Sequence, residues 1–289
     1  MLHTNTLQEL ASAYGVRPTY LLTYPVLEDS EIINKLAYRI ERGECDVGVH
    51  LHPWVTPPYD DCVTGANSYP GSLDPSLEYR KLLELKSKFT ACFGHSPLIY
   101  RAGRYGLGAN SCTMLESLGF RIDTSMAPRT DYRNGGGPDY TGYGHRPFWF
   151  GRERDLLEIP LCRDVVGWAG GMAPAVYHNI SASSLARTSG LAIAARLRCA
   201  ERITLSPEGN DLGAMMRLVR RLHDAGERIF VISLHSSSLA VGRNPYVQSK
   251  YDLRHLYDRL SGILDCMARE YAMQFTALSD IPSCLQAPG

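Results

Sequence analysis

Residues 43–52 read Gly43-Glu44-Cys45-Asp46-Val47-Gly48-Val49-His50-Leu51-His52: a glycine, a short β-rich run, and two histidines where the run ends. Upstream, Ile32, Ile33, Leu36, Ala37 and Ile40 fall on one face of a helical stretch, with Asp29 placed to cap its start. A glycine just past a helix end supplies the left-handed residue that closes the last turn. The same order recurs along the chain. Gly15 precedes Pro18–Leu22, Gly94 precedes Leu98–Arg101, Gly119 precedes Phe120–Asp123, and Gly226 precedes Arg228–Leu234. Connections of a few residues are usual between helix and strand in α/β units. These runs are nearly all apolar instead of alternating, the pattern of a parallel sheet covered on both faces. The reading is therefore an α/β fold with right-handed crossovers and a parallel sheet or barrel.

Further helices are signalled by Asp74-Pro75, with Leu82, Leu83 and Phe89 on its buried stripe, and by residues 211–225 and 252–272. Residues 51–73 and 124–155 break the rhythm as long loops rich in glycine, tyrosine and aspartate, and long loops in a compact domain usually build a site. No linker divides the chain, so residues 1–289 read as a single domain.

Composition narrows the function. Hydrophobic residues make up 44% and charged residues 21%, which excludes a disordered or fibrous chain. Thirty basic and thirty acidic residues give a formal net charge of zero, with the signs interspersed. A nucleic-acid partner is not expected, because phosphate neutralisation needs a basic excess. No apolar run approaches the ~20 residues of a membrane span, and no secretory signal is visible at Met1. Eight cysteines without Cys-x-x-Cys spacing read as reduced, and the expected location is cytoplasmic.

Ligands of parallel α/β folds bind at the carboxyl ends of the strands. The polar residues expected there are His50 and His52, Arg101, Asp123 and His235. In an extended segment His50 and His52 point to one side, so both imidazoles can converge on a divalent ion. Two histidines merely hydrogen-bonded at a strand end fit the spacing equally well, and Arg101 can equally form a structural ion pair with Asp123.

In this order, Tyr14-Gly15-Val16-Arg17-Pro18-Thr19-Tyr20-Leu21-Leu22, Gly48-Val49-His50, Tyr100-Arg101-Ala102-Gly103 and Leu234-His235-Ser236 resemble the polysaccharide deacetylases, the NodB-homology domain of carbohydrate esterase family 4. The resemblance implies a distorted (β/α) barrel of about seven strands. It also implies a divalent metal, usually zinc, that activates water to remove N-acetyl groups from a sugar. His50 matches the first metal histidine, His235 the general acid, Arg101 the arginine of the third motif, and Asp123 the acidic residue that orients it. Backbone N–H groups near Arg104 or Tyr105 are placed to hold the oxyanion. Trp54, Trp149, Trp168 and the loop tyrosines are candidates to stack on sugar rings.

The departures from the family pattern carry consequences. Trp54 stands where the second metal histidine is usual, so His52 is expected to substitute. The chain as given opens in the helix after the family's first strand, so its pair of aspartates has no counterpart. On that basis weak metal binding and little activity are expected, unless Asp60 or Asp61 supplies a carboxylate. Two alternatives stand beside the deacetylase: a catalytically impaired glycan-binding protein on the same scaffold, and an amidase acting on a small N-acyl metabolite.

Overall fold

The computed structural model describes residues 3–167, 177 and 200–285. Helix α1 (His3–Ala13) leads into strand β1 (Thr19–Leu22), followed by the single turn α2 (Tyr24–Leu27), α3 (Ser30–Glu41) and β2 (Asp46–Leu51). Helix α4 (Pro75–Phe93), β3 (Ile99–Ala102), α5 (Ser111–Ser117) and β4 (Ile122–Asp123) continue the alternation. Strands β5 (Phe148–Phe150), β6 (Leu156–Glu158), β7 (Arg163–Val166) and β8 (Glu201–Thr204) come next. The chain then runs through α6 (Leu212–Asp224), α7 (Lys250–Arg269) and the short α8 (Ile281–Cys284).

The caps form as the sequence specifies. Asp29 Oδ1 accepts from Ile32 N–H, and Asp74 Oδ1 from Ser76 N–H with Pro75 in the first turn. Ser249 and Asp252 make a reciprocal capping box on α7. Gly15, Gly43, Gly94, Gly119 and Gly226 all have positive φ. Of the stripe expected on α4, Leu82 and Phe89 are buried, but Leu83 is exposed.

Six strands form one sheet in the order β1-β2-β3-β4-β6-β5. All neighbours are parallel except the β5–β6 edge, which is antiparallel. The fold is mixed α/β with a mainly parallel sheet. One core lies where β2 and β3 meet α3 and α4, around Val49, Tyr100, Leu36, Leu85 and Phe89. A second joins α6 and α7 to β8, around Ile203, Met215, Leu218, Leu260 and Ile263. Gly48 permits the close β2–β3 approach, since a Cβ there would lie 2.7 Å from Ile99 O.

Closure differs from expectation. β7 and β8 pair only with each other, as an antiparallel ribbon. The Arg228–Leu234 run joins no ladder among the described residues; Ser233 N–H donates to Leu205 O at 3.2 Å and Val231 N–H to Cys162 Sγ at 3.2 Å. The other edge of β1 has no strand partner among the described residues. A cavity of about 1600 Å³ runs between β1 and residues 228–237. Apolar content made 228–234 look like a strand, but a strand needs an adjacent edge, and here open space separates the two.

No described helix is long and apolar enough to cross a membrane. The seven described cysteines are free thiols, three of them buried.

Candidate active site

The cavity wall brings His50, His52, Arg101, Arg104, Tyr105 and His235 together, six of the eight residues expected at the site. Asp123 is fully buried behind them, and Trp54 is not on the wall.

β2 carries His50, and His52 follows directly after its end, with ring centroids 4.3 Å apart. His50 Nδ1 is 3.0 Å from Arg101 O, so Nδ1–H donates to the carbonyl and Nε2 is left as the lone-pair nitrogen. His52 Nδ1 is buried without a hydrogen-bond partner against Gly103; a Cβ at that glycine would lie 2.6 Å from the nitrogen. Glycine at 103 is thus a requirement of His52's position. Burial, followed by the neighbouring His52, pushes His50 down to about 3. Burial, followed by His235 and Arg104, pushes His52 down to about 4. Both rings are neutral at physiological pH, the form in which imidazole binds metal.

Donor type therefore suits a divalent ion, but donor number does not. Among the described residues no cluster of three His, Cys, Asp or Glu side chains could hold a metal. Asp60 and Asp61 do not fill the place: Asp60 pairs with Arg80 and Asp61 with Lys81 Nζ at 3.2 Å.

Arg101 does not form the ion pair with Asp123 that its position suggested. Its Nε donates to Thr124 O at 2.9 Å and its Nη2 to Thr124 Oγ1 at 3.1 Å. Asp123 instead stands opposite Glu158 in the β4–β6 register. Both carboxyl groups are fully buried, and burial pushes both up. Asp123 Oδ1 accepts from the Ser125 hydroxyl and Glu158 Oε1 from Met126 N–H. The remaining oxygens, Asp123 Oδ2 and Glu158 Oε2, have no hydrogen-bond partner, and the neighbouring Asp123 adds to burial in favouring the neutral form of Glu158. The sequence reading missed Glu158.

His235 is the exposed member of a second dyad that the sequence reading also missed. Its Nδ1 lies 2.8 Å from Glu208 Oε2, and its own N–H donates to Glu208 Oε1 at 2.8 Å. The Ser238 hydroxyl donates to the same oxygen. The Glu208 hydrogen bond raises the His235 imidazole, and the same contacts, outweighing burial, lower Glu208. The carboxylate fixes the Nδ1 proton and leaves Nε2 as the exchangeable position. Glu158 ends the short apolar run Leu156-Leu157, so the strand-end rule would have found it, whereas Glu208 lies four residues beyond β8 in Leu205-Ser206-Pro207-Glu208.

Trp54 is partly exposed and packs on His52 with centroids 4.4 Å apart. Trp149 is in β5 and packs into the apolar cluster of Ile99 and Ile122, not on a loop. Trp168 lies outside the described residues.

No protein-family profile matches the chain, and no curated protein matches it. Among solved structures it is similar to a provisionally named polysaccharide deacetylase from Mycobacterium smegmatis, with a TM-score of 0.54 and 15% identity over 100% of this chain and 82% of that one. It is more distantly similar to a 4-alpha-glucanotransferase from Thermococcus litoralis, at TM-score 0.49 and 10% identity, over 98% of this chain and 35% of that one. At such identities the likeness is one of fold.

Proposed function

We propose that the chain is a hydrolase acting on carbohydrate, which removes N-acetyl or related acyl groups. The observation that carries this reading is the juxtaposition of the Glu208–His235 dyad with the neutral His50–His52 pair on one cavity wall. The fold likeness to a provisionally named deacetylase supports it. On this reading residues 1–289 form one domain of the NodB type, a distorted barrel of about seven strands.

His50 and His52 would hold a divalent ion, zinc by donor type; when bound, such an ion polarises the acyl carbonyl and acidifies water. His235 protonates the departing amine through Nε2, while Glu208 holds the ring's orientation and stabilises its charged form. Arg101, anchored by Thr124, lines the same cavity, with the buried Asp123 and Glu158 close enough to act on its charge. Backbone N–H groups at Arg104 and Tyr105 would receive the oxyanion, and Trp54 would stack on a sugar ring. The test is acetate release from N-acetylated oligosaccharides. His235→Ala should lower the rate about a hundredfold or more, the usual size of a general-acid contribution. Unchanged turnover removes His235 from that role.

The shortfall in donors favours a second reading: a glycan-binding protein on the same scaffold with impaired catalysis. Retained oligosaccharide binding without acetate release at saturating zinc would select it.

A further inference from the structure

Many arginines of the described residues are matched to a carboxylate, as Arg17 is to Asp280, Arg80 to Asp60 and Arg217 to Glu201. Several on the cavity wall are not, Arg101 among them, and of these Arg104 and Arg163 are the two that also lie over aromatic rings among the described residues. Arg163 Nε donates to Thr204 Oγ1 at 2.8 Å, and its Nη1 to Tyr132 Oη at 2.7 Å and Thr130 Oγ1 at 3.2 Å. Its guanidinium carbon lies 5.5 Å from the centre of the Tyr105 ring. Arg104 stacks on Tyr69 at 4.4 Å, and its Nη1 donates to the Ser68 hydroxyl. Neither arginine has a carboxylate oxygen within 4.0 Å among the described residues. Residues 168–199 contain no Asp or Glu that could serve from elsewhere.

The two arginines belong to one aromatic wall. Tyr69 and Tyr132 are 6.3 Å apart, and Tyr132 and Tyr105 stack at 6.1 Å, linking the ring under Arg104 to the ring under Arg163. Arg104 and Tyr105 both adopt left-handed backbone, at φ 53 and 63. For side-chain-bearing residues that conformation persists only where the surroundings over-determine it, and such residues cluster at ligand sites. Among the described lining residues Glu208 is the one carboxylate, and it is committed to His235. In a chain of zero formal net charge, this end of the cavity therefore carries an uncompensated positive field. The planar guanidinium fork matches carboxylate and phosphate oxygens.

We propose that Arg104 and Arg163 bind an anionic group on the substrate, a carboxylate or phosphate, so that the cleft selects acidic carbohydrates over neutral ones. The assignment rests on the carbohydrate reading of the same cleft and names its substrate class.

The experiment is calorimetric titration of the intact chain at low salt with three matched probes: N-acetylglucosamine, N-acetylmuramate for the carboxylate, and N-acetylglucosamine 6-phosphate. At least one acidic probe should bind tenfold or more tightly than the neutral sugar, and the one that does identifies the group. Arg104→Gln should reduce that preference about tenfold or more, the usual worth of a hydrogen bond to a charged group, and raised salt should weaken it. Arg104 is exposed, so the variant should keep its melting temperature and the loss can be assigned to the side chain. Arg163→Lys should also lose affinity, since it keeps the charge and loses the fork. Equal affinity for neutral and acidic sugars, binding of none of the three, or a preference unchanged in both variants would overturn the proposal. Charge-selective binding without acetate release would sink the deacetylase reading and leave this assignment standing. Acetate release with no charge preference would do the reverse.

Discussion

At the scale of single residues, the site depends on which side chains are denied charge and which are given it. His50 and His52 are held neutral by burial, while His235 is held toward its charged form by Glu208. Glu208→Gln keeps the shape and removes the charge. The His235 titration midpoint, followed by NMR of its ring nitrogens, should fall in the variant, and under the proposed function the alkaline limb of activity should move to lower pH. The sign also governs stability. A histidine raised in the folded state contributes stability that is fully present below its unfolded value of about 6.5 and lost as pH rises through the folded value. An unchanged midpoint in Glu208→Gln would show that the hydrogen bond does not tune His235.

At the scale of elements, α4 organises the loop that follows the two histidines. Lys81 is fully buried, and its Nζ donates to Pro53 O at 3.1 Å, Thr56 O at 2.9 Å and Pro58 O at 2.5 Å, and pairs with Asp61. One side chain thereby gathers the loop carrying Trp54. Lys81→Met leaves the Asp61 charge and three carbonyl groups without their donor. Removing one partner of a buried ion pair costs roughly 3–5 kcal/mol. Chemical denaturation should register a loss of that order, and the loop's tryptophan emission should shift red. A loss below about 1 kcal/mol would mean that water replaces the ammonium without penalty.

At the scale of the whole molecule, one cavity between β1 and residues 228–237 is lined both by the metal-type donors His50 and His52 and by His235. A catalytic zinc normally has three protein ligands and a water. With two imidazoles and no third donor among the described residues, this chain should hold zinc weakly. After dialysis against chelator-free buffer, metal analysis should find well under one zinc per chain, and His50→Ala should remove most of what remains. Stoichiometric zinc surviving dialysis would contradict the two-ligand account.

Much of the architecture was legible in local chemistry. Glycines with positive φ at helix ends, aspartate caps at 29 and 74, and apolar runs at 19–22, 46–51 and 99–102 each act over a few residues, so α/β alternation and a parallel sheet follow from the chain alone. The strand-end rule likewise reached His50, His52, Arg101 and His235. Tertiary structure decided what depends on distant partners. Arg228–Leu234 has the composition of a strand, yet pairing requires a neighbouring edge, and β1 lies across open space. Asp123 meets Glu158 instead of Arg101 because the β4–β6 register sets the two carboxyls side by side, across 34 residues of intervening chain and an antiparallel edge strand that no local pattern announced. Glu208 joins His235 only because the chain after β8 returns beside the segment leading to residue 235. Spacing in sequence cannot express such pairings, since they are made by packing.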